Sequence, residues 1–429
     1  NQRSPYLPGP PLQGDFDCDV AIVGGGFTGT SAAYHFARRF PERRIALFEA
    51  HSLANGASGR SGGLVLNWMN SQPTADLELT RRIFDTTRCG IDALVRRIRE
   101  HSLDVRFQRD GCVEILTDPR RADAAAREVE RLRSAGIPLR FLHGSELAQL
   151  ARIEGARGAV LDPTAGRLDG VSLIYAMRPL LLKLGVFIFE RTPVLGIQEG
   201  QVHTLSVPGA RVRAKALVLA TNAYTPRLGY FRSGIVPLHS HVLATEALPP
   251  EAWREIGWQS LGGFSDDQDR IGYGSMTLGG ELVFGGGSNA AYTYRFGSKA
   301  EFRGTTERAF AAVERRLHGY FSGIRSRGVR VAHRWTGTVA LTMDRVCTMG
   351  VLGKYRNVLY ALGYSGHGLT LANLAGEVLA DIYAGDAARW RGLPFFEHRL
   401  PFVPPEPFRW LGYQLYTSLT GRSPRTRTR

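Results

Sequence analysis

The chain has 429 residues, which is too long for one simple core and suits two domains. Its composition is that of an ordinary soluble globular protein, with 43% hydrophobic and 22% charged residues. The four cysteines lie far apart without paired spacing, which argues against a zinc site or a disulfide framework and favours a reducing compartment. We therefore predict a cytoplasmic location, in a bacterial cell, and no bound metal.

The formal net charge of +15 would suit nucleic acid, an anionic membrane or an anionic substrate. Arginine is nevertheless spread along the chain and forms a dense cluster only from Arg422 to Arg429. We interpret the charge as a solvated basic surface and do not expect nucleic acid to bind, because clustered arginines with interleaved aromatics are otherwise missing.

The first elements form the start of a βαβ unit. A strand is predicted over Cys18–Val23, a helix over Thr28–Arg39 and a second strand over Ile45–Phe48. The turn between the first strand and the helix has the pattern GxGxxG, with its glycines at Gly24, Gly26 and Gly29.

In such a loop the three glycines allow a tight turn, close approach of a pyrophosphate and close packing of the helix on the strand. The helix N-terminus offers free N–H groups to the phosphates. Glu49 stands twenty residues after Gly29, where a carboxylate can accept hydrogen bonds from ribose hydroxyls and disfavours NADP. The pattern predicts a dinucleotide site but does not distinguish FAD from NAD.

The middle of the chain alternates between helical and strand patterns. Residues 77–150 are predicted to be mostly helical, interrupted by a strand over Cys112–Leu116. A helix-to-strand unit follows over Leu173–Phe189, and the apolar run Ala216–Ala220 indicates a buried strand. From Ile235 to Gly287, period-two strands separated by Gly-rich turns indicate an antiparallel sheet.

The last third contains a predicted helix over Glu301–Leu317, a strand at Leu359–Tyr360, a helix over Leu369–Tyr383 and an amphipathic segment over Phe408–Leu419. The fold class is therefore α/β, with a Rossmann-like dinucleotide-binding domain and an interleaved substrate domain built on an antiparallel sheet with helices. The predicted boundaries are 1–80, 151–232 and 330–390 for the first domain, 81–150 and 233–329 for the second, and 391–429 for a C-terminal helix and basic tail.

Several segments spread over nearly the whole chain match one group of flavoproteins. They are PLQGD at 11–15, GGGFTG at 24–29, GASGRSGG at 56–63, ATNAYT at 220–225, GYSGHG at 363–368 and PPEPFRW at 404–410. With these residues the chain resembles the D-amino-acid oxidase / glycine and sarcosine oxidase superfamily, and within it the γ-glutamylputrescine oxidase branch. The resemblance implies that the dinucleotide is FAD.

The resemblance also implies where the cofactor binds. The segment 58–64 would line the pyrophosphate and the flavin ring, and 363–370 would cap the pyrimidine edge of the ring at a helix N-terminus. His367 would stabilise negative charge there, or would be a capping or core histidine. The residues predicted to bind FAD are Gly24, Gly26, Phe27, Thr28, Gly29, Glu49, Ala50, Ser58, Gly59, Arg60, Ser61, Gly62, Gly63, Leu64, Val194, Thr221, Asn222, Gly363, Gly366, His367, Gly368, Leu369 and Thr370.

The sequence departs from its relatives at several positions beside the ring. Ser61 stands where the branch has Asn, Leu64 where it has Gln, and Ser275 where many members have Arg. Thr370 replaces a lysine that holds the substrate carboxylate in sarcosine oxidases. This last difference favours an amine substrate over an amino acid.

Some relatives attach the flavin covalently. The positions of attachment correspond here to Gly337 and to Arg60 or Ser61, none of which is a suitable nucleophile. Cys347 lies close in sequence to the first of these, but we interpret it as an ordinary buried cysteine. We therefore predict non-covalent FAD.

The reaction implied by the resemblance is oxidation of a small-molecule amine to an imine, with hydride transfer to flavin N5 and reoxidation by oxygen to hydrogen peroxide. The candidate catalytic residues are His241, Tyr273 and His367. His239 and His241 alternate on one strand and would point to the same side, toward either the pocket or solvent. Tyr273 would form an aromatic wall or pack in the core, and Trp335 would pack near the ring.

Three alternatives remain open from the sequence. A dehydrogenase of the same fold would pass electrons to a quinone or a protein acceptor, as the missing arginine at Ser275 allows. A nucleic-acid-associated flavoprotein and a scaffold flavoprotein with a decayed pocket are the others. The C-terminal segment is a candidate for peripheral membrane contact, although helix docking onto the protein itself is the favoured role. The sequence indicates no oligomeric state.

Overall fold

The structure is a computed structural model and describes residues 6–69, 74–297, 299–300 and 306–420. The strands are β1 (Phe16–Val23), β2 (Ile45–Phe48), β3 (Leu64–Val65), β4 (Phe107–Gln108), β5 (Cys112–Leu116), β6 (Arg140–His143), β7 (Gly158–Asp162), β8 (Gly166–Leu168), β9 (Phe187–Phe189), β10 (Gly196–Gln198), β11 (His203–Val207), β12 (Ala210–Leu219), β13 (Val236–Thr245), β14 (Gly263–Asp266), β15 (Gly272–Met276), β16 (Leu282–Gly286), β17 (Tyr292–Tyr294), β18 (Val331–Leu341), β19 (Thr348–Leu352) and β20 (Val358–Leu362).

The α-helices are α1 (Phe27–Arg39), α2 (Leu77–Glu100), α3 (Pro119–Ser134), α4 (Gly144–Ala148), α5 (Gly170–Lys183), α6 (Pro250–Ile256), α7 (Glu307–Tyr320), α8 (Ser322–Ser326), α9 (Gly368–Ala384) and α10 (Phe408–Leu419). Short 3₁₀ helices lie at Ala57–Arg60, Asn222–Leu228 and Ala388–Trp390.

The first sheet is the Rossmann-like layer. Its parallel strands lie in the order β20–β12–β1–β2–β9. Strand β11 pairs antiparallel with the first half of β12, β10 pairs antiparallel with β11, and β19 pairs antiparallel with β20. The last four residues of β1 and all of β2 are buried, as expected for parallel strands covered on both faces. Helices α1 and α9 pack closely, because a Cβ on Gly376 would lie 2.4 Å from the backbone of Ser31.

The second sheet has the order β18–β13–β16–β15–β14–β5–β7–β6, and β17 also pairs with β13. The β5–β14 pair is parallel and the others are antiparallel. A core that includes Trp253, Trp258, Phe264 and Phe321 packs one face of this sheet against helices α6, α7 and α8. A small antiparallel sheet, β3–β8–β4, lies apart from the two large ones.

The structure differs from the predicted boundaries of the two interleaved domains. Strands β7 and β18 were assigned from the sequence to the FAD-binding domain, yet β7 pairs with β5 and β18 with β13 in the second sheet. Helix α2 was assigned to the substrate domain, yet it packs against α9. The pairing partners of a strand lie far away in sequence, so local patterns do not reveal to which sheet it belongs.

Two predicted segments fall partly or wholly outside the described residues. The helix predicted from Glu301 begins at Glu307, and residues 301–305 are among those not described. The arginine cluster from Arg422 to Arg429 also lies outside the described part. Within the described part, no helix combines the length and the apolar character needed to cross a bilayer.

Candidate functional site

A cleft of about 2040 Å³ lies between the ends of β1, β2 and β12 and the second sheet. Pockets for single small ligands usually measure about 300–1,000 Å³. The volume therefore suits a dinucleotide together with a substrate.

The glycine loop after β1 forms part of the cleft wall and is tightly packed. Gly24 has φ +111, and a Cβ on it would lie 2.7 Å from the carbonyl oxygen of Ala220. A Cβ on Gly29 would lie only 1.8 Å from the carbonyl oxygen of Gly24. A Cβ on Gly26 would lie 2.7 Å from Oγ of Ser58. Helix α1 can therefore approach the turn only without side chains at Gly24 and Gly29, where the collisions would be with backbone, as the sequence pattern predicts.

Helix α1 begins beside the cleft without a capping side chain. Its N-cap is Gly26, which has none to offer, and Phe27 donates its backbone N–H to Oγ of Ser58 at 3.1 Å. The N-terminus of a helix carries partial positive charge and favours anions. The geometry is therefore suited to a pyrophosphate.

Glu49 stands at the end of β2 and lines the cleft. Its Oε2 accepts a hydrogen bond from Gly25 N at 2.7 Å, and its Oε1 accepts one from His51 N at 2.9 Å. Burial raises the pKa of the Glu49 carboxyl, while these two backbone donors oppose the shift. Each carboxylate oxygen keeps acceptor capacity for a ribose hydroxyl. The glycine loop and Glu49 together fit the adenosine half of a dinucleotide.

The segments assigned to the flavin end meet at the same cleft. The start of α9 is held to α1, because the hydroxyls of Tyr364 and Thr28 lie 2.8 Å apart. Gly363 donates its N–H to Oδ1 of Asn222 at 3.0 Å. His367 is the N-cap of α9 and lines the cleft. The N-terminus of a second helix therefore faces the cleft, although α9 lies far from α1 in the sequence.

Most of the residues predicted to bind FAD line the cleft. These are Gly24, Gly26, Phe27, Thr28, Glu49, Ala50, Ser58, Arg60, Ser61, Gly62, Leu64, Val194, Thr221, Asn222, Gly366, His367, Gly368 and Leu369.

The structure places five predicted residues behind the cleft wall: Gly29, Gly59, Gly63, Gly363 and Thr370. Gly29, Gly59 and Gly63 admit neighbouring backbone; a Cβ on Gly59, for example, would lie 2.0 Å from the carbonyl oxygen of Ala54. Thr370 is buried and donates its hydroxyl to the carbonyl oxygen of Leu66 at 2.7 Å. These residues shape the site but do not present a side chain to it.

The second sheet presents one row of side chains to the cleft. Trp335 on β18 pairs directly with Val242 on β13, and Val242 pairs with Gly285 on β16. On its other side, Gly285 pairs with Tyr273 on β15. The row continues from Tyr273 to Ser265 and then to Glu114, and it includes the cleft-lining residues Trp335, Val242, Tyr273, Ser265 and Glu114. Directly paired residues point to the same face of a sheet. Sequence reasoning missed Ser265 and Glu114, since their alignment depends on the strand order.

Tyr273 lies where the second sheet meets the predicted flavin loop. Its hydroxyl is 3.1 Å from Oγ of Ser240, and a Cβ on Gly62 would lie 3.3 Å from its ring. The neighbouring Ser275 donates its hydroxyl to the carbonyl oxygen of Gly62. Burial raises the pKa of the Tyr273 phenol, which is therefore protonated at neutral pH.

The sequence left His239 and His241 facing either the pocket or solvent, and the structure shows neither. Both side chains are fully buried, and the cleft is lined instead by Ser240 and Val242, which alternate with them on β13. His241 donates from Nδ1 to the carbonyl oxygen of Ala291 at 2.9 Å, and its Nε2 lies 2.7 Å from the hydroxyl of Thr306.

The surroundings of His239 are similar. Its Nε2 donates to the carbonyl oxygen of Lys299 at 2.9 Å, and its Nδ1 lies 3.1 Å from the hydroxyl of Thr338. Burial lowers the pKa of His239 to about 4 and also lowers the pKa of His241. Both imidazoles are therefore neutral structural groups, and His241 is no candidate for catalysis.

Gly337 and Arg60, which correspond to the positions of covalent flavin attachment in some relatives, lie next to each other. A Cβ on Gly337 would lie 3.2 Å from Cβ of Arg60, and Trp335 donates its indole N–H to the carbonyl oxygen of Arg60 at 3.0 Å. Cys347 is buried, and burial raises its thiol pKa to about 12. A thiol in such surroundings is a poor nucleophile.

The family model described as DAO, FAD dependent oxidoreductase, matches residues 19–382. The chain belongs to the DAO family of FAD-dependent oxidoreductases. This DAO-family chain is 27% identical over 407 residues to gamma-glutamylputrescine oxidoreductase of Escherichia coli (strain K12), a match covering 92% of this chain and 90% of that protein. It is 28% identical over 219 residues to glycine oxidase of Geobacillus kaustophilus, which covers 49% of this chain and 56% of that protein.

Solved structures confirm the fold of this DAO-family protein. The crystal structure of glycine oxidase from Geobacillus kaustophilus matches with a TM-score of 0.76 and 23% identity, covering 90% of this chain and 99% of that one. L-proline dehydrogenase from P. horikoshii matches with a TM-score of 0.73 and 18% identity, covering 89% and 96%. The predicted family, the α/β fold class and the identity of the cofactor as FAD are confirmed.

Proposed function

We propose that this protein oxidises the C–N bond of a small-molecule amine to an imine, using FAD that is bound without a covalent link. One observation carries the proposal: the dinucleotide cradle and the row from Trp335 to Glu114 line the same cleft. When bound, FAD would supply the hydride acceptor, at N5, and the route by which the electrons reach oxygen, giving hydrogen peroxide.

On the cofactor side, the protein's role is to bind and orient. The loop from Gly24 to Thr28 would hold the pyrophosphate at the start of α1, and Glu49 would accept hydrogen bonds from the ribose. The N-terminus of α9, with His367 as its N-cap, would place partial positive charge beside the flavin ring. Non-covalent attachment is supported by Gly337 and Arg60, which offer no nucleophile, and by the buried thiol of Cys347.

On the substrate side, apolar and polar groups share the row. Trp335 and Val242 would pack against the carbon skeleton of the amine, and the Tyr273 phenol would orient it as a hydrogen-bond donor. The raised pKa of Tyr273 argues against its acting as a base at neutral pH. Glu114 adds a carboxylate to the same face, which favours cationic amines during entry. Thr370 lies behind the wall and offers no cation for a substrate carboxylate, which supports an amine over an amino acid.

A dehydrogenase that reacts slowly with oxygen is the second candidate. Ser275 stands where many relatives have arginine, and its hydroxyl donates to the carbonyl oxygen of Gly62. This position therefore supplies no positive charge to promote oxygen reduction. The acceptor would then be a quinone or a protein.

Stopped-flow reoxidation separates the two candidates. The FAD-loaded protein is reduced anaerobically with an amine that bleaches it, and is then mixed with either oxygenated buffer or a soluble quinone. We expect oxygen to restore the flavin absorption at least as fast as the steady-state turnover. Slow return with oxygen and fast return with the quinone would identify a dehydrogenase.

A further inference from the structure

The cleft continues past the row of side chains that ends at Glu114. On β7, Val160 pairs with Glu114 and also lines the cleft. Helix α3 covers this part of the second sheet, since Val160 packs against the cluster that contains Val129 and Leu132. Adjacent strands of a sheet lie about 4.8 Å apart, so Glu114, two strands from Tyr273, lies roughly 10 Å from it. The cleft therefore extends well beyond the residues that would meet the reacting amine.

Two carboxylates face this part of the cleft. Asp162 lies two residues after Val160, the partner of Glu114, so the two acidic residues are diagonal neighbours on one face of the sheet. Such neighbours lie about 7–8 Å apart, and long side chains can reach across that distance. Both Glu114 and Asp162 line the cleft, and none of the described lining residues contributed by β5, α3 and β7 is basic. The cleft is therefore acidic beneath α3.

An amide oxygen beside Asp162 needs a hydrogen-bond donor. Asn67 is only 2% exposed and lines the cleft. Its Nδ2 donates to Oδ2 of Asp162 at 3.3 Å and to the hydroxyl of Thr164, which fixes the orientation of the amide. Its Oδ1 is buried and accepts no hydrogen bond from any residue that the structure describes. Buried polar groups are nearly always paired, so this oxygen suits a ligand that donates a hydrogen bond.

The chemistry of these groups selects the class of ligand. We refer to Asn67, Glu114 and Asp162 as the acidic end of the cleft. They offer two carboxylates and one amide oxygen, whereas an ammonium group carries one positive charge, three donors and no acceptor. In the described part of the chain, no three histidine, cysteine or carboxylate side chains are grouped so that they could hold a metal ion. The acidic end is therefore suited to an organic ammonium group.

We propose that the acidic end binds a second ammonium group of the substrate, which is therefore a diamine or a polyamine. This inference rests on the proposed amine oxidation, because one amine must lie at the flavin while the other reaches the acidic end. Tyr273 orients the reacting amine, whereas Glu114 and Asp162 hold the distal charge. The apolar side chains of Val129 and Val160 contact the methylene chain between the two nitrogen atoms.

Calorimetric titration of the FAD-loaded protein tests the proposal. Dithionite keeps the flavin reduced under anaerobic conditions, so that amines bind without being oxidised. The probes are hexamethylenediamine and octamethylenediamine, compared with hexylamine and octylamine, which lack the second ammonium group. We expect at least one diamine to bind about tenfold more tightly than the monoamine of the same length, because hydrogen bonds between charged groups contribute a factor of about that size.

Two variants locate the source of this preference. Glu114→Gln removes the charge and keeps the shape of the side chain, so it should weaken binding of the diamine about tenfold and leave binding of the monoamine unchanged. The matched control is Glu130→Gln on α3, where the side chain is 71% exposed and pairs with Arg133. This control should keep the wild-type preference. FAD content and melting temperature serve as folding controls.

Three results would overturn the proposal. The wild type could bind each diamine no more tightly than its monoamine, or Glu114→Gln could weaken the binding of both alike. Glu130→Gln could also abolish the preference, which would make it an effect of net charge and not of the acidic end. If the preference depends on Glu114 but no amine bleaches the oxidised flavin, the proposed function fails while the ammonium site stands.

Discussion

Replacing Gly29 with alanine should disrupt the dinucleotide cradle. The new Cβ would lie 1.8 Å from the carbonyl oxygen of Gly24, whereas non-bonded heavy atoms prefer separations of roughly 3.5 Å. The start of α1 must therefore move by more than about 1 Å, at a cost of about 1–3 kcal/mol in the free energy of unfolding. A cost of about 1–3 kcal/mol corresponds to an increase of about 5- to 150-fold in a dissociation constant. We expect Gly29→Ala to weaken FAD binding by about that factor, measured by fluorescence titration of the apoprotein.

The control is Gly319→Ala on the exposed surface of α7. A Cβ on Gly319 meets nothing within 4 Å, so this variant should gain about 0.5–1 kcal/mol of helix stability and keep its FAD affinity. If Gly29→Ala fails to fold, Gly26→Ala replaces it, because its Cβ meets only Oγ of Ser58, which can rotate. Wild-type FAD affinity in both Gly29→Ala and Gly26→Ala would refute the assignment of the loop.

Three further predictions concern single side chains. Glu49→Gln should weaken FAD binding about tenfold in the same titration, since hydrogen bonds to a charged acceptor are worth about 1.5–3 kcal/mol. Unchanged affinity would contradict the prediction that this carboxylate binds the ribose. Tyr273→Phe, which loses the contact with Ser240, should lower kcat/KM about fivefold. The pH profile of kcat/KM should not move, because the phenol orients the substrate and does not titrate near neutrality. If the variant loses one limb of that profile, Tyr273 acts as an acid or a base instead. The folded pKa of His239 is about 4, below its unfolded value, so its contribution to stability is present above about pH 6.5 and is lost as the pH falls toward 4. Urea unfolding at several pH values should show that this group removes about 3 kcal/mol from the free energy of unfolding over that range. If the free energy of unfolding of His239→Asn falls with pH as steeply as that of the wild type, His239 is not the group responsible.

The dinucleotide unit could be predicted because its signals are local. The glycine spacing, the acidic residue and the apolar strands lie within one short stretch, and β2 has the predicted bounds Ile45–Phe48. The bounds of β5 and α10 were also predicted correctly, since a short β-branched run and a helical apolar repeat each specify one element.

The substrate side could not be predicted in the same way. Strand β13 is buried on nearly all positions of both faces, so hydropathy does not indicate which of its alternating side chains face the cleft. Its period correctly placed His239 and His241 on one side, but only the packing of α7 and the pairing with β18 determine which side. Glu114 lies in a correctly predicted strand, and its place in the row depends on the non-local β5–β14 pairing.

Anaerobic titration of the FAD-loaded protein with amines tests the central claim most directly. The account predicts that at least one amine bleaches the visible flavin absorption and yields the corresponding carbonyl product after hydrolysis of the imine. It also predicts that denaturation releases the flavin into solution, because no covalent link holds it. Bound flavin that dithionite reduces but no primary, secondary or diamine substrate bleaches would contradict the account.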